Sequence, residues 1–495
     1  MDLTKNYLKH VPEEKQDLGA IATLASYDLL MKVNPTVGQA ILDELCAQRT
    51  SLKLIASENY ASLPVQLAMG NLLTDKYSEG YIKHRFYAGC ENVDTIEERG
   101  VESLKKLFGC DHAYVQPHSG ADANLVAFWS IIVQRVQNKE LEKLSKKRLT
   151  DLTEEEYERV RQLLVNQTLM GMSLNAGGHL THGYRMNISS KMMRAVTYDV
   201  DPKTHLLDYA AILEQARREK PLILTVGYSA YPRLIDFAKM REIADEVGAT
   251  LLVDMAHFSG LVAGGVFTGV NNPVPYAHIL TSTTHKTMRG PRGGMILCKE
   301  EFKETIDKGC PLVLGGPLPH VMAAKAIAFE EAMQPSFKTY AAQIVKNSQA
   351  FADELVKEGA TLITGGTDNH LLIIDTESSY GLTGLHAEQV LLKAGITINR
   401  NSIPFDKNRP WISSGIRLGT PALTTRGLKE GEFREIARLI SKLLKGTKRE
   451  GSSVSKFETD EKVLESVRQG VQELLSKFPL YGELIVDVTR PAGVS

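Results

Sequence analysis

Between Lys191 and Cys298, five short apolar runs, AVTYDV, PLILTVG, TLLVDMA, AHILTST and GGMILC, alternate with helical patterns. Their length and β-branched content read as strands. DFAKMREIADEVG (Asp236 to Gly248) has the amphipathic spacing and closing glycine of a helix. Such alternation predicts an α/β fold, with a mainly parallel sheet flanked by helices. A chain of 495 residues also exceeds the usual size of one core. The expected division is an N-terminal helical arm over 1–56, a large α/β domain over 57–335 and a smaller C-terminal α/β domain over 336–495. In the arm, Ile41, Leu42 and Leu45 carry the apolar spacing. In the C-terminal domain the helix Thr339 to Lys357 precedes the strand HLLIIDT. DTIEERGVESLKKLFG (Asp94 to Gly109) is a further helix. The charged run from about Gln137 to Val165, free of Gly and Pro, predicts two amphipathic helices in a surface insertion, with Thr150 or Thr153 as an N-cap.

Several function classes are disfavoured. A net charge of -1 provides no global field for nucleic acid or anionic lipid. Five scattered cysteines without a CxxC pair indicate neither a zinc site nor a disulfide framework, and no metal is expected. The N-terminal segment lacks a signal peptide's apolar core. The most apolar long stretch, Thr250 to Phe267, contains Asp254 and His257 and makes a poor membrane span. A cytoplasmic protein is the expectation.

The chemistry concentrates in TSTTHKTMRGPRGG (Thr281 to Gly294), where a hydroxyl-rich turn after a strand presents Lys286. The Gly and Pro beyond it stop a helix. Ahead of it, VDMAH places Asp254 at the end of an apolar strand, where open α/β sheets bind ligands. An aspartate there either caps the next helix or pairs with a ligand. Joined to a single lysine in such a turn, it fits pyridoxal phosphate (PLP), with Lys286 as the Schiff-base amine and Asp254 on the pyridinium nitrogen. In QPHSGADANLVAFW, the Ser119-Gly120 turn opens a helix whose N–H groups suit a phosphate. In NAGGHLTHG, two glycines allow close backbone approach beside His179, which either lies flat on an aromatic ring or is a structural histidine.

Together with LIASENY, DKYSEGY, RFYAGCE, SAYPR, GGPLPH and SGIRLGTPA, these blocks resemble the serine hydroxymethyltransferase family, in that family's order from about residue 40 to residue 430. The resemblance implies a fold-type I PLP-dependent transferase (aspartate aminotransferase-like), a homodimer with shared active sites. It implies interconversion of serine and glycine with tetrahydrofolate as co-substrate, and neither a nucleic-acid nor a membrane partner. Lys286 then carries PLP, Asp254 pairs with its ring nitrogen and His179 stacks on the ring. Ser229 and His257 hydrogen-bond around it. Ser119, Gly120 and His285 hold the phosphate with Tyr77 and Gly316 of the other subunit. Ser57 and Arg417 bind the substrate carboxylate, and Tyr87 reaches in from the partner. Glu79, also from the partner, transfers a proton at the serine hydroxyl or folate. Thr283 and Arg292 support the lysine. Leu174, Gly178, Leu180 and Asn401 match positions lining the folate site, as does the segment Arg409 to Trp411.

Three departures stand out. The family's Ser-Gly-Ser-Gln-Ala-Asn turn is here Ser119-Gly120-Ala121-Asp122-Ala123-Asn124, so one hydroxyl is replaced and a carboxylate has entered. The tyrosine pair after Arg85 is Phe86-Tyr87. The run from Asn124 to Gly171 is longer than is usual for the family. A related PLP enzyme of threonine-aldolase or alanine-racemase type would share Asp254 and Lys286, but Glu79, GGHLTHG and Asn401 favour the folate enzyme. A binding protein using the charged insertion would need none of Lys286, Asp254 and Arg417.

Overall fold

The computed structural model describes residues 2–485. The chain forms two compact units. One takes the chain up to Ala68, Gln343–Ser402 and the part from Asp406; the other takes Met69–Ala342 with Ile403–Phe405.

The second unit is built on a seven-stranded sheet: β1 (His112–Tyr114), β2 (Thr168–Met172), β3 (Arg194–Tyr198), β4 (Ile223–Gly227), β5 (Thr250–Asp254), β6 (Ile279–Thr283) and β7 (Gly294–Cys298). Their spatial order is β1-β7-β6-β5-β4-β2-β3. β2 to β6 run parallel, and β7 is antiparallel to both β6 and β1. Strands covered on both faces need continuous apolar runs, and β4, β5, β6 and β7 are buried at every position. Register places Gly227 beside Asp254 and Asp254 beside Thr281, which aligns the carboxyl ends of three strands. Phe128, Ile131, Leu252, Ile279, Ile296 and Phe302 are among the residues of the core.

The five expected strands end within two residues of their sequence boundaries. β1 and β2 were not marked by the sequence. β1 has only three residues, and TLMGM in β2 combines Gly171 with methionines, a composition of low strand preference. Pairing with β3 and β4 on its two sides imposes the strand. The expected helices appear as Glu91–Phe108 and Phe237–Val247, each ended by a glycine in the left-handed region, Gly109 and Gly248.

The charged run departs from expectation in its first half. The helix Gly120–Ile132 continues through a π-helical turn, Val133–Gln137, into Asn138–Lys143, so the first predicted helix is the tail of one begun at the Ser-Gly turn. Its second half is the helix Glu154–Val165. Thr153 is the N-cap there, in a reciprocal capping box with Glu156.

The first unit contains the helices Leu3–His10, Leu18–Val33 and Pro35–Thr50. It also holds an antiparallel sheet in the order Thr361–Leu362, Leu371–Asp375, Gly415–Gly419, Asn399–Asn401. Leu52–Lys53 pairs in parallel with Ile396–Thr397, and Leu52 and Leu54 join Phe351, Leu372, Ile416 and Phe433 in one core. The N-terminal segment and the C-terminal part are thereby one packed body. No described helix is long and apolar enough to cross a membrane.

Candidate active site

The carboxyl end of β5 delivers Asp254 into a buried polar network. Its Oδ2 accepts from Asn124 Nδ2 at 2.9 Å and His182 Nε2 at 3.0 Å, and its Oδ1 accepts the Ala256 N–H at 3.0 Å. Burial alone would raise this carboxyl, but the hydrogen bond and charge of His182, with His179 and Asn124, hold it well below the usual carboxylate range. Asn124 comes from the second turn of the helix Gly120–Ile132. Its other amide hydrogen goes to Thr181 Oγ1 at 2.8 Å, and its Oδ1 accepts from Thr281 Oγ1 at 2.6 Å. Thr181 Oγ1 meets His179 Nδ1 at 2.8 Å. Asp254 is therefore fixed from β6, from the Ser-Gly helix and from the GGHLTHG turn together.

That turn needs its glycines. A side chain on Gly178 would run into the Met172 carbonyl oxygen. Gly177, at φ 107°, accepts the N–H groups of Ser229 and Ala230 at 2.7 and 3.0 Å. Burial pulls the pKa of His179 down to about 4, so its ring is neutral near pH 7. His179, His182 and Asp254 offer ligand atoms within 4.8 Å of one another, a set that metal sites also use. Here His182 Nε2 and Asp254 Oδ2 are bonded to each other.

Lys286 follows β6 and is 9% exposed. Hydroxyl groups pin its loop: Thr284 Oγ1 donates to Pro291 O at 2.6 Å, and Thr287 Oγ1 donates to His257 O at 3.0 Å. Thr283 Oγ1 donates to Ala256 O at 3.2 Å. The Ser-Gly turn lies against this loop, since a side chain on Gly120 would meet Thr283 Cγ2 at 2.7 Å. Ser119 caps its helix by accepting the Asp122 N–H at 3.1 Å, and its hydroxyl donates to Asp122 Oδ2 at 2.9 Å. The carboxylate that entered this turn thus holds its serine hydroxyl. Among the described residues His285 Nδ1 is buried without a hydrogen-bond partner, and burial with the Arg292 charge brings the ring pKa down to about 3.

A second cluster gathers Tyr77, Glu79, Tyr87 and Gly316. The Tyr77 and Tyr87 rings meet edge to face with centroids 5.0 Å apart, and Tyr77 Oη donates to Glu79 Oε1 at 3.4 Å. A side chain on Gly316 would touch Tyr77 and Glu79. Beneath these groups Arg85 binds Asp94, Glu97 and the carbonyls of Ser78 and Gly80. Gln116 donates to Gly80 O at 3.0 Å and Glu97 Oε1 at 2.8 Å.

Leu174 is half-buried and Leu180 is 44% exposed beside the GGHLTHG turn. Ser57, Asn401 and Arg417 belong to the other compact unit. There Arg417 Nε donates to Asn399 Oδ1 at 3.1 Å, and burial lowers its pKa to about 10, still a cation near pH 7. Gly419 on the same strand packs against Ala56, which brings the chain at Ser57 close to that strand. Asn401 pairs with Gly415 across this sheet.

Sequence reasoning missed Asn124 and His182 as partners of Asp254, and Thr281 as the partner of Asn124. The readable hint was a second histidine three places after His179.

The residues fit pyridoxal phosphate. Asp254 presents a carboxylate with an acidic pKa for a ring N–H, and His179 is an uncharged ring. The helix N-terminus at Ser119 and the unsatisfied His285 nitrogen are donors suited to a phosphate. Comparison with known proteins agrees. The family model described as serine hydroxymethyltransferase matches residues 30–145 and 157–440. The chain is 57% identical over 465 residues to the serine hydroxymethyltransferase of Mycolicibacterium smegmatis, covering 94% of this chain and 95% of that protein. It is 56% identical over 469 residues to that of Treponema pallidum, covering 94% and 82%. With that of Chlamydia trachomatis serovar L2 it shares 52% over 489 residues, covering 97% and 98%.

Proposed function

The chain belongs to the serine hydroxymethyltransferase family, and from that premise we propose which of its residues perform the reaction. It is a PLP-dependent transferase that interconverts L-serine and glycine, with tetrahydrofolate as one-carbon carrier. Bound PLP supplies an aldehyde that joins an amine and a ring that accepts the electron pair released when a bond at Cα breaks.

Lys286 is the amine that holds the cofactor. Asp254, kept ionised by His182 and Asn124, retains the proton on the ring nitrogen; this carboxylate is the observation that carries the reading. His179 gives the ring a flat, neutral neighbour, and Ser229 and His257 hydrogen-bond around it. Ser119, Gly120 and His285 hold the phosphate. Arg417, as a bidentate fork beside Ser57, binds the substrate carboxylate. Glu79 takes the proton from the serine side-chain oxygen as the Cα–Cβ bond opens, and the released carbon passes to tetrahydrofolate. Leu174, Gly178, Leu180 and Asn401 line the folate subsite. Thr283 and Arg292 flank the lysine.

The same proposal makes the protein a homodimer in which Tyr77, Glu79, Tyr87 and Gly316 serve the partner's site. The exposure of Tyr77 and Tyr87, 58% and 48%, supports this. It also places the protein in the cytoplasm, in keeping with five cysteines that form no disulfide among the described residues.

Serine turnover measured with and without tetrahydrofolate tests the reaction. Borohydride reduction of the PLP-loaded protein followed by peptide mapping tests the lysine. Folate-dependent turnover and a label on Lys286 are expected, and a label on another lysine overturns the assignment.

A further inference from the structure

The helix Pro319–Ala332 carries Lys325 into the interior, where it is 1% exposed. Its Nζ donates to Val115 O at 2.6 Å, Pro117 O at 2.8 Å and Gly294 O at 2.9 Å. An ammonium has three donors, and all three are used. No carboxylate among the described residues touches it; Glu97 and Asp122 act on it through charge at a distance. Burial brings its pKa down to about 7, yet only the protonated amine can serve all three carbonyls. A buried cation without a contacting anion is costly to keep. Three carbonyls could be met by neutral donors, so the choice of lysine needs another reason.

The neighbours supply one. Val115 and Pro117 lead directly into the Ser119-Gly120 turn, and Gly294 N donates to Pro117 O at 2.9 Å. Both glycines of the RGG segment are required by this arrangement. A side chain on Gly293 would collide with Lys325 Cε, and one on Gly294 with Ser119 O. Two glycines, one lysine and the turn are thus packed as a unit.

We propose that Lys325 is a positioning residue for the cofactor phosphate, fixing the backbone that leads into the Ser119-Gly120 turn. The proposal rests on the reading that this turn binds the phosphate. It acts through the turn, so its effect falls on the phosphate end of the cofactor and spares the ring.

The test is titration of apo-protein with PLP and with pyridoxal, which lacks the phosphate. Lys325→Met is expected to weaken PLP about tenfold, the equivalent of ~1.4 kcal/mol, and to change pyridoxal affinity less than about twofold. Gly293→Ala, which displaces the lysine without removing its charge, should produce the same selective loss of smaller size, and it serves should Lys325→Met not fold. Equal losses for PLP and pyridoxal would mean that Lys325 merely supports the fold, and unchanged PLP affinity would likewise overturn the proposal. Ser119→Ala separates the two layers. If it loses preference for PLP over pyridoxal while both other variants retain it, the phosphate reading stands and the role of Lys325 fails. If the wild type shows no preference, the phosphate reading fails and takes the proposal with it.

Discussion

Two regions of the same compact unit bear proposed functional side chains and are built in opposite ways. At the carboxyl end of β5, Asp254 is 7% exposed and each of its oxygens has a donor from the chain itself. In the segment from Tyr77 to Tyr87 the buried part is the support, Arg85 with Glu97 and Gln116, while Tyr77 and Tyr87 stand more than 45% exposed. The first region is complete within one chain. The second has a rigid base and outward-facing tips, the form expected of a group lent to another molecule. In the first, function and stability therefore share the same atoms, and in the second they are separable.

The largest effect should follow Asp254→Ala. It removes the acceptor of Asn124 and His182 in a buried network, and leaving a buried donor unsatisfied typically costs about 1–3 kcal/mol for each. Serine turnover should fall on the order of 10³-fold or more. Urea unfolding and turnover measured together check both. Lost turnover at unchanged stability would break the comparison.

Glu79→Gln should do the reverse. Turnover should fall roughly 10²–10⁴-fold, as for a lost proton-transfer group, with stability within about 0.5 kcal/mol of wild type. Mixing this variant with Lys286→Ala should restore part of the activity, because a heterodimer would hold one site with both residues intact. No recovery after proven subunit exchange would contradict lending across the dimer.

A smaller effect is expected from acid. Burial lowers His179 and His278 to about 4 and His285 to about 3, against about 6.5 in the unfolded chain. Below pH 6.5 the unfolded chain takes up protons that these folded rings refuse, so stability is present above 6.5 and declines as pH falls toward 4. Asp254 is depressed below its unfolded 3.8. Its contribution is full above that value and is lost only as pH falls through the folded pKa. The melting temperature of apo-protein should drop by roughly 5 °C between pH 7 and pH 5. His179→Phe, which keeps a flat ring but does not titrate, should reduce that slope.

The two regions also differed in legibility. Lys286 and Asp254 could be read from the sequence because each follows a marked strand and their chemistry requires both. The network around Asp254 could not, since Asn124, His182 and Thr281 lie far apart in sequence and meet only through strand register and helix placement. Lys325 was hidden for the same reason, as one lysine within an apolar helix. Tyr77, Glu79 and Tyr87 carried no local signal of their own and were identified by resemblance alone. Strands β4 to β7 were legible because burial on both faces demands apolar runs, and the edge strand β3 through its β-branched residues. β2 was not, because its glycine serves close packing: a side chain on Gly171 would strike the His182 carbonyl oxygen.

The smallest effect should come from residues 146–156, which the family model passes over between its two matched stretches. Their polar contacts are local: Lys146 Nζ donates to Asp151 O, the Arg148 N–H to Asp151 Oδ2, and Thr153 and Glu156 cap one another. None of these residues is buried, whereas Leu141 before them and Val160 after them are. A short Gly/Ser link from Ser145 to Tyr157 therefore removes no core residue and no proposed site residue. It does remove the Thr153 cap of the helix Glu154–Val165, a loss of about 1 kcal/mol that a serine at the end of the link should largely recover. Because the helix begun at Ser119 runs on to Lys143, the link must start after that helix ends, or the cut would shorten an element that also bears Asn124. With these limits observed, serine turnover should stay within about threefold of wild type and stability within about 1 kcal/mol. A larger fall in turnover of a folded, PLP-loaded variant would mean that the charged segment serves the site. The division between a self-contained pocket and separable outer parts would then need a third region.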